Sequence, residues 1–354
     1  PKVDENGNFV FKTFHHLYQD INWEEYTIGG IAKVDASYTL GAMRGNLLTG
    51  IHWENFTLHD NESLLGEDYD RFSTVIRESK NIINNGTEYS LSAFVQCKHY
   101  FQDNFILNAG LRFDNKHRKN DVNVTAFSPR VALIYIPSKA LSTKLSYSRA
   151  FVDAPYFYRQ NTSNPYRGSQ DLMPEYIDAI QLDFLGTISN RFSYDVNIFY
   201  NSLTDLICNN QSTDLNAPKY VNAGSLKIAG IEVELGYNTP SFRSRLNTTL
   251  HRAFEAEQYY YDNHNVYSIP SWILNLSGEK RLLNKLKHSI WLSGNLRFTS
   301  RTLNKANSRI KGSEDFYLSG YTLLDLRLKY NYNNHIDFSL DCDNVFNTSY
   351  EIGG

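Results

Sequence analysis

Every long extended run in this chain alternates apolar and polar residues, and that period limits the possible folds more than any other feature. In FSYDVNIFY, Phe192, Tyr194, Val196, Ile198 and Tyr200 share one face, and Ser193, Asp195 and Asn197 share the other. GIEVELGY sets Ile231, Val233, Leu235 and Tyr237 against Glu232 and Glu234. LLDLRLKY sets Leu324, Leu326, Leu328 and Tyr330 against Asp325, Arg327 and Lys329. HIDFSLDCD sets Ile336, Phe338, Leu340 and Cys342 against Asp337, Asp341 and Asp343. A period of two marks a strand whose faces meet different surroundings. Roughly fifteen such runs of about ten to fourteen residues occur, whereas globular strands average five or six and a tilted membrane strand takes about nine to eleven. The runs are too long for a sandwich. They predict an all-β chain that crosses a membrane.

Connection lengths carry a second, independent signal. Tight connections at TLGA, YFQDN, YIPSKA, GTISNR, NTPS, LLNKLK and NYNN alternate with long polar ones at 58–86, 114–124, 151–175, 204–225, 257–268 and 302–319. Short turns on one side and long loops on the other describe a transmembrane antiparallel β-barrel of the outer-membrane kind, with periplasmic turns and extracellular loops. Aromatics crowd the strand ends beside the short turns (Tyr100, Phe101, Phe105, Tyr135, Tyr237, Phe242, Tyr330 and Tyr332), as a girdle at headgroup level requires. Tyr at 25 and Phe at 21, against 9 Pro, suit strands and interfaces. Mean hydropathy is −0.46, and no apolar run approaches the ~20 residues of a helical span. The net charge of −3 carries no basic footprint, so no nucleic-acid partner is expected.

The acids of HIDFSLDCD fit either a metal site or the wet face of a strand. A metal would require His and further acids converging at ligand spacing. The preceding strand instead supplies Arg327 and Lys329 on the matching parity, so antiparallel pairing across NYNN sets cations beside acids. Asp325, Arg327, Lys329, Asp337, Asp341, Glu232 and Glu234 are therefore expected to face the lumen or a plug, with no metal, cofactor or catalytic role. The three cysteines are too scattered for a disulfide scaffold, and Cys97 and Cys342 fall on apolar faces as small hydrophobes.

From Ser128 onward the sequence resembles the barrel of TonB-dependent outer-membrane receptors. The resemblance runs in order through SPRVALIYIPSKALSTKLSYSRAFVDAPYFYR, SQDLMPEYIDAIQLDF, NIFYNSLTDLI, YVNAGSLKIAGIEVEL, IPSWILNL, LLDLRLKY and FSLDCDNVFNTSY. Residues 1–127 fit in pattern, and FILNAGLRFDNK is similar to a family strand. Family members carry a plug domain and a TonB-binding box before a barrel of twenty-two strands. The resemblance therefore implies that residues 1–354 are a barrel fragment, with about fifteen of those strands and without the plug or the closing strand.

What the resemblance implies is active import, not enzymatic chemistry: a Gram-negative outer-membrane receptor that takes up an iron–siderophore, haem or cobalamin, energised by TonB and surrounded by lipid and lipopolysaccharide. A passive porin or hydrophobic-solute channel is the alternative. Ligand contacts are expected in APYFYRQNTSNPYRG and EQYYYDNHN, at Tyr156, Tyr158, Arg159, Tyr166, Arg167, Tyr260 and His264. Aromatics with adaptable polar groups suit capture, and they equally suit the packing of a large loop. For Arg159 and Arg167, pairing with neighbouring acids or lipopolysaccharide competes with ligand contact. His264 is read as a solvated loop residue in preference to a haem ligand.

Overall fold

The computed structural model describes residues 2–3, 9–10, 18–66, 75–119, 121–163, 166–210, 212, 214, 216–257, 261–262, 265–304 and 315–352. Fifteen strands form one antiparallel sheet. They are β1 Tyr18–Leu40, β2 Met43–Gly66, β3 Val75–Lys80, β4 Gly86–Gln102, β5 Phe105–Arg118, β6 Val122–Ser138, β7 Leu141–Val152 and β8 Glu175–Ser189. The series continues with β9 Phe192–Asn209, β10 Tyr220–Asn238, β11 Phe242–Glu257, β12 Trp272–Lys285, β13 His288–Thr299, β14 Tyr321–Tyr332 and β15 Ile336–Cys342. Strands adjacent in sequence are adjacent in the sheet, with one exception: β3 pairs only with residues 62–66 at the outer end of β2, and β4 takes the place beside the body of β2. A five-residue helix, α1 Tyr156–Gln160, interrupts the connection between β7 and β8.

The register follows the alternation. Along β9, Ile198 faces Leu182 of β8 and Ile231 of β10, while Asn197 faces Asp183 and Glu232. Along β14, Leu328 faces Leu292 and Leu340, while Arg327 faces Ser293 and Asp341. One face is predominantly apolar and the other is largely charged and hydroxylic. The curvature identifies the polar face as the inner one. A concavity of about 660 Å³ spans β8 to β15, its lining including Ser193, Arg245, Ser277, Glu279, Asp325 and Arg327. Large apolar side chains on the opposite face stand open, Ile51 at 57%, Phe127 at 57% and Ile180 at 48% exposure, as residues that meet hydrocarbon must be.

The short turns are built from residues that tolerate them. Tyr332 and Ile336 close the β14–β15 ladder over three residues, in which Asn333 and Asn334 adopt left-handed φ of 52° and 55° and the His335 N–H donates to the Tyr332 carbonyl at 3.0 Å, the backbone of a tight primed turn. Gly230 is needed for close approach, because a Cβ there would stand 2.5 Å from both the Leu250 carbonyl and the Phe199 ring. Beside the turns, Phe101 packs 5.4 Å from Phe105, and Tyr237 lies 6.0 Å from Phe242. Tyr100 departs from this girdle. It shares the inner parity of Lys98, with Arg44 5.0 Å and Lys98 5.2 Å from its ring.

The structure corrects two sequence readings. Strands run to 24 residues, so the connections read at 58–86, 114–124 and 204–225 are largely strand at both ends. Outside the bilayer both faces of a strand meet water, and the period-two signal fades although the hydrogen-bond ladder continues. The sheet holds fifteen strands, as expected, and among the described residues the short β3 pairs only with the outer end of β2 while the other fourteen make up the body of the sheet. Among the described residues β1 and β15 are the two edges of that body and do not pair with each other. The helix α1 had no counterpart in the reading of the sequence, since five residues are too few for a helical period to register.

Replacing Ile198 by Arg is expected to cost about 2–4 kcal/mol of unfolding free energy in lipid or detergent, against a much smaller loss for Asn197→Arg, which places a cation beside Asp183. Denaturant titration of the two variants measures the difference directly.

Candidate functional site: the outer mouth and the inner wall

Two groups of polar side chains stand out on the inner face. The first is a ladder of ion pairs along the wall. Arg327 pairs with Asp341 directly across the β14–β15 register, and Lys329 lies 3.5 Å from Asp337. Arg297 meets Asp325 at 2.9 Å, Arg245 meets Glu234 at 3.5 Å, and Arg243 meets Glu279 at 3.8 Å. Glu232 opposes Asn197 and Thr249 on the same face. Trp291 lies between two guanidinium groups, 4.5 Å from Arg281 and 5.8 Å from Arg243. These pairs are half-exposed, so each is worth only a fraction of a kcal/mol, on the order of 0.2–1 kcal/mol. Their effect is to keep a long cationic and acidic surface soluble without net charge accumulating on one strand. Asp337, Asp341 and Asp343 do not gather around a common point. Among the described residues the single cluster at ligating distances is Glu24, His59 and Asp60, on the outer ends of β1 and β2.

The second group lies at the outer end of the sheet. The connection between β7 and β8, an arm of residues 153–163 and 166–174, folds against the inner face of β4 and β5. Arg159 of α1 makes a bidentate pair with Glu88, at 2.6 and 2.7 Å, and each side chain is only 1% exposed. Lys116 reaches Glu88 at 3.3 Å and Asp153 at 2.9 Å, and Arg118 pairs with Asp153 while donating to the Leu172 carbonyl. Three cations and two carboxylates are thus interlocked. Burial alone would raise the Asp153 carboxyl, but Arg118 and Lys116 outweigh it and hold the group below the usual carboxylate range. Tyr156 donates to the Asn84 carbonyl at 2.6 Å, and burial together with the Glu88 charge pushes its hydroxyl up to about 12.

Backbone bonds complete the attachment. Thr162 N–H donates to the Ile82 carbonyl at 2.8 Å, Asn84 N–H to Gln160 at 2.9 Å, and Lys219 N–H to Arg167 at 2.7 Å. Leu58, Ile82 and Ile83 form an apolar cluster under Phe157 and Tyr156. Gly168 lies so close to the Arg159 carbonyl that a Cβ would stand 2.6 Å from its oxygen.

The structure sorts the ligand-contact candidates. Arg159 is fully engaged with Glu88 inside the arm, and Tyr156 is half-buried against Phe56 at 5.2 Å. Tyr158 stacks on Tyr220 with centroids 3.9 Å apart. Tyr166 and Arg167 are exposed, the latter donating to the Asn216 carbonyl at 3.1 Å. Tyr260 and His264 lie outside the described residues. Reading the sequence missed Glu88, Lys116, Arg118, Asp153 and Tyr220. The signal was present in RFDNKHR, where Arg112, Asp114, Lys116 and Arg118 recur at period two, a charged inner face in a stretch partly taken as loop.

Glu88→Gln, or Arg159→Met, each leaves a buried charge without its partner, and each is expected to cost about 3–5 kcal/mol as a fall in unfolding midpoint. The joint change Glu88→Leu with Arg159→Met is expected to cost less than the sum of the two. A carboxyl lowered by folding stabilises fully above its unfolded value and loses that contribution as pH falls through the folded one. The Asp153 share of stability is therefore expected to stay flat down to about pH 5 and to vanish only below the ordinary value of about 3.9, read as unfolding midpoint against pH.

Comparison with known proteins is consistent with this architecture. A family model described as TonB dependent receptor-like, beta-barrel matches residues 3–345. No curated protein matches the chain. Among solved structures, the chain is similar to the ferric-catecholate import receptor Fiu from Escherichia coli K12, with 14% identity and a TM-score of 0.65, over 94% of this chain and 52% of that one. It is similar to FpvA of Pseudomonas aeruginosa in complex with iron-loaded pyoverdine, with 16% identity and a TM-score of 0.69, over 97% of this chain and 48% of that one. It is also similar to the FrpB iron transporter from Neisseria meningitidis, with 16% identity and a TM-score of 0.65, over 92% and 51%. The chain spans about half the length of these structures, and at such identities the likeness shows the fold. The family match along nearly the whole sequence makes this chain a member of the TonB-dependent receptors, a β-barrel of that family.

Proposed function

We propose that this barrel belongs to an active importer in the outer membrane of a Gram-negative bacterium, which captures a scarce ligand at its outer mouth and draws it inward with energy delivered by TonB. The observation that carries the reading is the family match over residues 3–345, laid on a sheet whose turns are all short on one side. In this reading a plug domain sits against the inner wall, where Arg243, Arg245, Arg327, Glu279 and Asp325 offer both signs of charge to its surface. Lipid and lipopolysaccharide cover the outward apolar field.

The ligand class we favour is a metal complex, an iron–siderophore before haem or cobalamin. Connections of modest length at the mouth support a small ligand, and the solved structures with the same fold include a ferric-catecholate import receptor, an iron transporter and a receptor bound to iron-loaded pyoverdine. The exposed ring of Tyr166 and the Tyr158–Tyr220 stack provide flat faces at the mouth, with Arg167 beside them to meet a negative charge.

Uptake of iron-55-labelled siderophores, haem and radiolabelled cobalamin by cells carrying the intact receptor, with and without TonB, tests this. Accumulation of one of these that disappears in cells lacking TonB is expected. Entry that is equal in both backgrounds and follows the outside concentration would make the protein a passive channel.

A further inference from the structure

The arm between β7 and β8 does more than fill space above the wall. Its left side is bonded to residues 82–88, at the start of β4, and its right side to residues 216–222, at the start of β10. In the sheet order β4 and β10 are six strands apart, an arc of about 29 Å at strand spacing. A loop lying on its own two strands would touch only their neighbours. This one crosses the concave face and ties distant parts of the rim together.

Each attachment is of a kind that persists. On the β4 side the Glu88–Arg159 pair is bidentate and shut off from water, and it is backed by Lys116 and by the bridge between Ile83 and Asn161. In the middle the arm bonds to itself, Gly168 N–H to the Asn161 carbonyl at 2.7 Å and Ser169 N–H to the Tyr158 carbonyl at 3.0 Å. On the β10 side Asn222 grips both polar groups of the Met173 backbone, at 2.7 and 3.0 Å, and Tyr158 stacks on Tyr220.

We propose that this arm is a fixed cross-brace of the outer mouth, rigid before any ligand arrives, with Glu88 and Arg159 as positioning residues that hold the Tyr158–Tyr220 stack in a preset place. The inference deepens the import reading, because a surface that is ordered in advance spares the ligand the cost of ordering it. It assigns ligand-driven motion to other parts of the mouth and makes the arm the stationary side of capture.

Hydrogen exchange of the intact, ligand-free receptor in outer-membrane vesicles tests it through the amides of Thr162, Gly168, Ser169 and Lys219. In the wild type they are expected to exchange as slowly as strand amides, despite lying in a connection. Arg159→Gln is expected to speed all four together by at least about tenfold, since losing one partner of a buried pair exceeds the free energy of a tenfold change. The amide of Ile198, in the middle of the β9 ladder, serves as the control for folding and stays slow. Wild-type exchange at open-chain rates overturns the brace, and so does an Arg159→Gln protein, folded by the control, whose four amides are unchanged. The readout does not depend on transport: slow exchange in a receptor that imports nothing keeps the brace and removes the importer, whereas fast exchange in a TonB-driven importer does the reverse.

Discussion

The structure depends on one requirement: a backbone inside hydrocarbon must find all its hydrogen-bond partners within the protein. A closed or closing sheet of long antiparallel strands satisfies it, and the pleat then sends consecutive side chains to opposite solvents. Everything else in the wall is a consequence. Leucine, isoleucine and phenylalanine occupy one parity because it meets acyl chains, and arginine, aspartate and serine occupy the other because it meets water or protein. The charges that would be ruinous outward are inexpensive inward, where Arg327 finds Asp341 and Arg297 finds Asp325 across one strand spacing.

At the mouth the same sheet stops being constrained by lipid, and different physics takes over. The strands continue as ladders with water on both sides, and the connection between β7 and β8 folds inward to bury Glu88 and Arg159 together. A buried ion pair adds little net stability compared with an apolar contact of the same shape, but it is unforgiving of misplacement. That property suits a brace. The pair fixes where α1 sits, and α1 fixes where Tyr158 meets Tyr220.

The barrel wall was legible in the sequence because lipid imposes a simple rule on every residue that touches it. HIDFSLDCD illustrates this: parity set its acids on the same side as the cations of LLDLRLKY, and in the register Asp341 opposes Arg327 while Asp337 opposes Asn331 and reaches Lys329 diagonally at 3.5 Å. The mouth was far less legible. Arg159 read as a loop cation open to several partners, and its partner Glu88 lies 71 residues away, joined to it only by the way the arm folds. Strand ends were misjudged for a related reason, since β2 and β9 keep pairing after their alternation ends.

A nitroxide scan of residues 194–200 in β9, with the receptor in lipid bilayers, tests the two-solvent wall most directly. Oxygen accessibility is predicted to be high at 194, 196, 198 and 200 and low at 195, 197 and 199, with the opposite trend for a water-soluble relaxer. A uniform profile, or one repeating every three to four residues, would contradict the assignment of the faces and with it the barrel.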